Sequence, residues 1–380
     1  MSNTYEVIVV GAGSMGMAAG WHLAQRGVRT LLVDAFHPPH TLGSHHGDTR
    51  IIRHAYGEGR QYVPLALRAQ QLWLELQVEA GTQIFAQTGV LSLGRAGSPF
   101  MEEVVRSSAS FDLPLEVLDA AEIRRRWPGW RLPDDYVGSL ETSSGVLFSE
   151  HCIRAMRRLG EARGMQVLVN TPVDDIRVDG QGASVRAGLS VYTAERVIVT
   201  VGAWAKRLLA AAGLDVPVLP MRKVIAWFEC DEDLYGAAEF PAFTCETGKA
   251  HYYGFPSFGG TGIKVGRHDG GQAADPDTME RTFGAYPEDE GDLRRFLQDF
   301  LPRANGRLIT GKTCVYTMSP DEHFIIDRHP ERPQLLFACG FSGHGFKFAS
   351  AIGEVLAQLA VADRAELDVS MFSLRRFQPL

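Results

Sequence analysis

The chain has 380 residues and a formal net charge of −7, and 45% of its residues are hydrophobic, so it has the length for two or three domain-sized units with a sizeable buried core. An acidic pI of about 6.0 gives no footing for a nucleic-acid or membrane-surface binder, and no apolar run reaches spanning length. Five scattered cysteines (Cys152, Cys230, Cys245, Cys314, Cys339) without a C-x-x-C pair set up neither a disulfide framework nor a zinc site. A reducing, cytoplasmic home is expected, with no leader peptide before a first strand that starts almost at Met1.

Residues 7–10 are a short apolar run, which predicts a strand buried on both faces. The G-x-G-x-x-G that follows is Gly11-Ala12-Gly13-Ser14-Met15-Gly16, with Gly11 for the turn, Gly13 for close approach of a pyrophosphate and Gly16 for helix–sheet packing. A second apolar strand over 31–33 ends at Asp34, eighteen residues past Gly16, where a carboxylate can accept from ribose hydroxyls. The fingerprint alone is weak, and a ligand-free glycine turn is the alternative. Strand, helix, second strand and acid in register predict a dinucleotide site, with the helix N-terminus facing the phosphates. NAD and FAD are not separated by this motif.

Residues 35–56 are dense in His, Pro and Gly, with Gly43-Ser44-His45-His46-Gly47-Asp48-Thr49-Arg50 at the centre and Arg53 three residues on. In a helical form Arg50 and Arg53 would share a face. His45, His46 and Asp48 are set aside as metal ligands, and no metal is expected. A helix is predicted over 63–78 with Leu65, Leu72 and Leu76 buried, a strand over 85–93 and a helix over 101–110. Another helix spans 147–163, with Ser149-Glu150 as its N-cap pair. Short strands follow at 166–169, 175–178 and 183–187, and an apolar strand at 196–204 re-enters the first sheet before a glycine turn.

Over 216–311 strands alternate with glycine loops, which predicts an antiparallel sheet with a helical insertion at 288–300. Ile263 and Val265 fall on one face of a strand, Lys264 and His268 on the other. Cys314 and Tyr316 likewise share a strand face. The end of the chain returns to strand (335–339), glycine-rich loop (340–347) and helix, marked by Ile352, Val355, Leu356 and Leu359. The fold class is thus α/β plus α+β: a Rossmann-like domain from 1–85, 145–215 and 320–380, and an antiparallel-sheet substrate domain from 86–144 and 216–319.

With these residues in view, the chain resembles the monomeric sarcosine oxidase and N-methyltryptophan oxidase family of D-amino-acid-oxidase-like flavoenzymes. The carriers run almost the whole length: the Gly11 to Gly16 fingerprint, Gly43 to Arg50, Arg53-His54-Ala55-Tyr56-Gly57-Glu58-Gly59, Tyr252-Tyr253-Gly254-Phe255, Cys314-Val315-Tyr316-Thr317, Asp321 to Asp327, and Phe341-Ser342-Gly343-His344-Gly345-Phe346-Lys347-Phe348. The resemblance implies FAD held through Gly11, Gly13, Ser14, Met15, Gly16, Asp34, Ser44, His45, Thr49, Arg50, Gly343, His344, Gly345 and Lys347, with a thioether from Cys314 to the flavin 8α-methyl. It implies oxidation of an N-methyl amino acid by O2 and water to formaldehyde, the amino acid and hydrogen peroxide.

It implies further that Arg53 and Lys347 bind the substrate carboxylate, and that His268, Tyr253, Tyr316, Gly343 and Thr244 line the substrate pocket. Lys264 is the implied oxygen-activating cation, with Arg50, Thr49, His268 and Tyr253 also at the reacting end, and Tyr56 to Gly59 is a segment that opens for substrate. From the residues alone, Lys264 reads as a solvated strand lysine; Arg53 and Lys347 sit in glycine-rich loops near the cofactor fold, with surface charges as the alternative, and Cys314 shares a strand face with Tyr316, with an inert buried thiol as the alternative. Thr244 stands where sarcosine oxidases typically carry methionine, which predicts tolerance for bulkier substrates and keeps N-methyltryptophan as the alternative. A monomer is expected. An NAD-dependent dehydrogenase and a non-catalytic dinucleotide-binding protein are the distant alternatives.

Overall fold

The structure, a computed structural model, describes residues 3–180 and 182–377; Gln378-Pro379-Leu380, on which the expectation of no terminal targeting signal falls, lies outside them. The N-terminal motif folds as β1 (Thr4–Val10), α1 (Ser14–Gln25) and β2 (Thr30–Val33). β1 pairs in parallel with β2 on one side and with the strand Ser190–Val199 on the other, and Leu335–Cys339 pairs in parallel with the end of Ser190–Val199. These strands belong to one eight-stranded sheet. Its inner strands are buried on both faces, which is why they read as unbroken apolar runs.

Met15 to Ala24 of α1 are all buried, because α1 lies between the sheet and the last helix, Ala349–Ala362. A Cβ on Gly353 would sit 2.4 Å from the Ala18 Cβ, so the two helix backbones approach more closely than an alanine there allows.

A second, nine-stranded sheet draws its strands from 90–141 and 219–318. The sequence predicts an antiparallel sheet, but this one is mixed: Ala242–Glu246 runs parallel to Val90–Arg95. A parallel neighbour needs a long crossover, and the chain between 95 and 242 supplies it, so nothing local announces the pairing. The amphipathic helix Pro287–Phe300 buries Leu293, Phe296 and Leu297 in this sheet's core.

A small third sheet joins β3 (Thr49–Ile52) to Gly145–Phe148 and Phe85–Ala86. Three expectations change here. Arg50 lies in a strand, not a helix, so the three-residue spacing to Arg53 sets no common helical face. The run 85–93 is broken at Gly89 (φ +72°) into Phe85–Ala86 and Val90–Arg95, which enter different sheets. Phe148, not Ser149, is the N-cap of the helix Ser149–Ala162. The Glu150 carboxylate instead accepts from the backbone N–H groups of Gly47 (2.9 Å) and Asp48 (3.1 Å), bracing the loop that leads into β3. α2 (Val63–Ala80) forms as predicted, with Leu65, Leu72 and Leu76 buried.

Candidate active site

A cavity of about 660 Å³ is lined from both large sheets and from the loops between them. At one end are Gly11, Gly13, Ser14 and Met15 of the β1–α1 turn, with Asp34 at the end of β2. Gly16 does not reach the cavity. A Cβ there would lie 1.8 Å from the Gly11 carbonyl oxygen and 2.5 Å from Thr200 Oγ1, so its place is in the helix–turn contact. Gly13 is open toward the cavity, the nearest atom to its ideal Cβ being His45 Nδ1 at 3.5 Å.

The Asp34 carboxylate accepts from the backbone N–H groups of Ala12 (2.7 Å) and Phe36 (2.8 Å). Each oxygen keeps a second lone pair for a hydroxyl donor. An open glycine cradle, a helix N-terminus and a fixed acid facing one cavity fit an adenine dinucleotide.

Ser44 and His45 line the wall beside the β1–α1 turn, His45 next to Gly13. Ser44 Oγ donates to the Val315 carbonyl at 2.5 Å, tying this loop to the strand Leu308–Met318. Burial lowers the His45 pKa to about 3, so the ring is neutral. Arg50 donates to the carbonyls of Thr49 (2.7 Å), Ser44 (2.8 Å) and His46 (2.5 Å) while also lining the cavity. It braces the loop and leaves its charge beside the space. Cys314, 3% exposed, and Tyr316 face the cavity from one strand. Burial raises the Cys314 thiol pKa, against the pull of Arg50, Lys264 and Lys223.

Two expected residues stand behind the cavity wall. Lys264 is 1% exposed, not solvated. Its Nζ donates to the carbonyls of Gly47 (2.6 Å) and Thr49 (2.8 Å) and to Thr49 Oγ1 (3.1 Å), so Thr49 serves chiefly as its acceptor. Burial pushes the Lys264 pKa well below the usual lysine range. Three oxygen acceptors match the three N–H bonds of an ammonium, and we assign it as charged on that geometry.

At the other end Arg53 and Lys347 converge on a single ring: the Arg53 Cζ is 4.6 Å and the Lys347 Nζ 5.0 Å from the centroid of Tyr56. Lys347 donates to Tyr56 Oη (3.1 Å) and to the His344 carbonyl (2.9 Å). His344 Nε2 faces the Glu322 carbonyl at 3.0 Å, which makes it the N–H, so Nδ1 accepts from Tyr56 Oη at 2.8 Å. Burial holds His344 neutral, with a pKa of about 4, and lowers Lys347 to about 7. Glu58 accepts both its Arg53 bonds at 2.7 Å. Burial alone would raise the Glu58 carboxyl, but Arg53 first, with Lys347 and the nearby imidazoles, holds it well below the usual range.

His268, Tyr253, Tyr316, Thr244 and Gly343 complete this end. Tyr253 Oη and Tyr316 Oη are 3.3 Å apart, and a Cβ on Gly343 would lie 2.2 Å from the Tyr316 ring. Burial keeps both phenols protonated and pushes His268 well below its usual pKa.

Sequence reasoning missed two residues. His251 lines the cavity two positions before Tyr253 on one strand, and alternation from Tyr253 could have found it. Lys223 is buried, and its Nζ donates to the carbonyls of His268 (2.6 Å), Asp269 (2.6 Å) and Gly270 (2.8 Å), fixing the loop that carries His268. No pattern in the chain signals that contact.

The profile of the FAD dependent oxidoreductases matches residues 6–359. A monomeric sarcosine oxidase from Bacillus sp. (strain B-0618) is 54% identical over 378 residues, covering 99% of this chain and 97% of that protein. An N-methyl-L-tryptophan oxidase from Yersinia pestis (strain Pestoides F) is 44% identical over 375 residues, covering 98% of this chain and 100% of that protein. In solved structures, the L-proline dehydrogenase from P. horikoshii superposes with a TM-score of 0.88 at 22% identity, over 99% of this chain and 98% of that one, a likeness of fold.

Proposed function

The chain belongs to the FAD-dependent oxidoreductase family, and from that premise we infer that it oxidises N-methyl amino acids, with sarcosine as substrate and glycine, formaldehyde and hydrogen peroxide as products. The observation that carries this reading is a charge imbalance. Two buried cations, Arg53 and Lys347, sit on one tyrosine ring, and Glu58 is the one carboxylate hydrogen-bonded to either of them among the described residues. A substrate carboxylate completes the set, gripped by the Arg53 fork and the Lys347 ammonium.

When bound, FAD would supply the two-electron acceptor for the amine, with dioxygen as the final oxidant. The protein's part is placement and charge. Gly13, Ser14, Asp34, Ser44 and Arg50 would hold the dinucleotide along the cavity, and the Cys314 thiol would be the attachment point for a thioether. His268, Tyr253 and Tyr316 are all neutral, so they favour the deprotonated amine whose lone pair the oxidation needs. Lys264, fixed by Gly47 and Thr49 behind the cavity wall, would lend a buried cation to the negative charge that develops on oxygen. The two large sheets are then a cofactor domain and a substrate domain, and the enzyme works as a cytoplasmic monomer. Among the described residues no helix is long and apolar enough to cross a membrane.

The test is acid precipitation followed by a peroxide assay. Yellow colour in the pellet, moving to the supernatant in Cys314→Ser, is the expected result for the thioether. Peroxide from sarcosine is the expected activity. A higher kcat/KM for N-methyltryptophan than for sarcosine would reassign the substrate.

A further inference from the structure

His251 stands in the strand His251–Phe255, on the same face as Tyr253 and two residues from it. Its backbone is fully used: the N–H donates to Asp269 Oδ1 (2.7 Å) and the carbonyl accepts from the His268 N–H (2.7 Å). The ring is held by packing alone. It meets Phe100 edge-on at 4.8 Å and His268 at 5.7 Å. Among the described residues neither ring nitrogen has a hydrogen-bond partner, and the side chain lines the cavity. Burial keeps the imidazole neutral, so it offers one donor and one acceptor.

Its position relative to the carboxylate clamp decides what it can meet. The Phe100 ring that His251 touches also lies 5.5 Å from the Arg53 Cζ, so one aromatic ring separates the imidazole from the guanidinium. In an amino acid the carbon bearing the side chain is bonded to the carboxylate carbon. A group attached there falls beside the clamp, while the N-methyl group points away along the amine. Thr244 lies on the neighbouring strand, opposite Tyr253 in the antiparallel register. Its Oγ1 is buried without a hydrogen-bond partner.

We propose that His251 forms a polar subsite for the substrate's α-substituent, so that the enzyme accepts N-methyl amino acids whose side chain carries a hydroxyl or carboxamide. The subsite rests on the oxidase reading above and adds the class of side chain to it. An apolar wall discriminates weakly between side chains differing by one hydroxyl, whereas a buried hydrogen-bonding group left without a partner penalises the apolar analogue.

The experiment compares peroxide production by the holoenzyme from sarcosine, N-methyl-L-alanine and N-methyl-L-serine. The wild-type kcat/KM is expected to favour N-methylserine over N-methylalanine by about fivefold, the worth of one neutral hydrogen bond. The ratio falls to about one in His251→Leu and recovers in part in His251→Asn. A wild-type ratio at or below one overturns the subsite, as does a ratio that His251→Leu leaves unchanged. If His251→Leu does not fold, the wild-type ratio together with His251→Asn decides. No peroxide from sarcosine in the wild type would instead remove the oxidase reading, which separates the two failures.

Discussion

Arg53 and Glu58 face each other inside the cavity through paired 2.7 Å hydrogen bonds, so the cation that suits a substrate carboxylate already holds one from its own chain. Binding is then an exchange of partners. In Glu58→Gln the competitor is gone, and the KM for sarcosine is expected to fall several-fold. The same change leaves a buried guanidinium without its counter-ion, which costs about 3 kcal/mol. The substrate-free holoenzyme should therefore melt earlier, with a larger rise in Tm on adding a carboxylate ligand. A raised KM would mean that Glu58 assists binding.

Lys347 titrates near 7 because burial, and then Arg53, disfavour its charge. An unfolded lysine titrates at about 10.4. Between those values the native state has shed a proton that the unfolded state keeps, so this group makes stability rise with pH across that window. Lys347→Met should flatten the slope in a pH series of denaturant melts. Carboxylate binding runs the other way, since it uses the protonated form. The Kd for propionate, followed through flavin absorbance, should weaken above pH about 7 in the wild type and stay flat in Lys347→Met.

The Lys264 ammonium is anchored by the residues that lead into β3, 215 and 217 positions away in the chain. Lys264→Met removes a fixed charge and one donor from each of two carbonyls, which keep the Thr49 N–H and Arg50 as partners. Stopped-flow measurements should show flavin reduction by sarcosine nearly unchanged and reoxidation by oxygen slowed about 10²-fold, the usual effect of losing one preplaced charge-stabilising group. Equal slowing of both half-reactions would contradict this role.

Glu141 sets the chain just after Arg53. Its carboxylate accepts from the N–H groups of His54 (3.0 Å) and Ala55 (2.9 Å) and is bound also by the His54 ring and Ser144 Oγ. Glu141→Gln puts an amide NH2 among those donors. The expected result is a several-fold rise in KM for sarcosine with limiting flavin reduction maintained, together with a stability loss of about 1–3 kcal/mol. An unchanged KM in a folded, flavin-containing variant would show that Arg53 needs no such support.

What the chain spells out locally is the cofactor frame. The β1–turn–α1–β2–Asp34 unit, the returning strands and the final helix are written in neighbouring residues, because backbone conformation and burial of one face follow short-range periodicity. Arg53, Cys314 and Lys347 stand in recognisable local motifs, which is what marked them in the chain, whereas Lys264 stands in an ordinary alternating strand. Tertiary structure alone decided their states. Folding turned Lys264 from a strand lysine open to water into a buried one held by Gly47 and Thr49, set two distant cations on the Tyr56 ring, gave Lys223 three carbonyls, and laid Ala242–Glu246 parallel to Val90–Arg95. Each of these joins segments far apart in the chain. Its energy comes from desolvation and charge pairing that exist only once the two sheets have closed over the cavity, so no window of residues carries the signal.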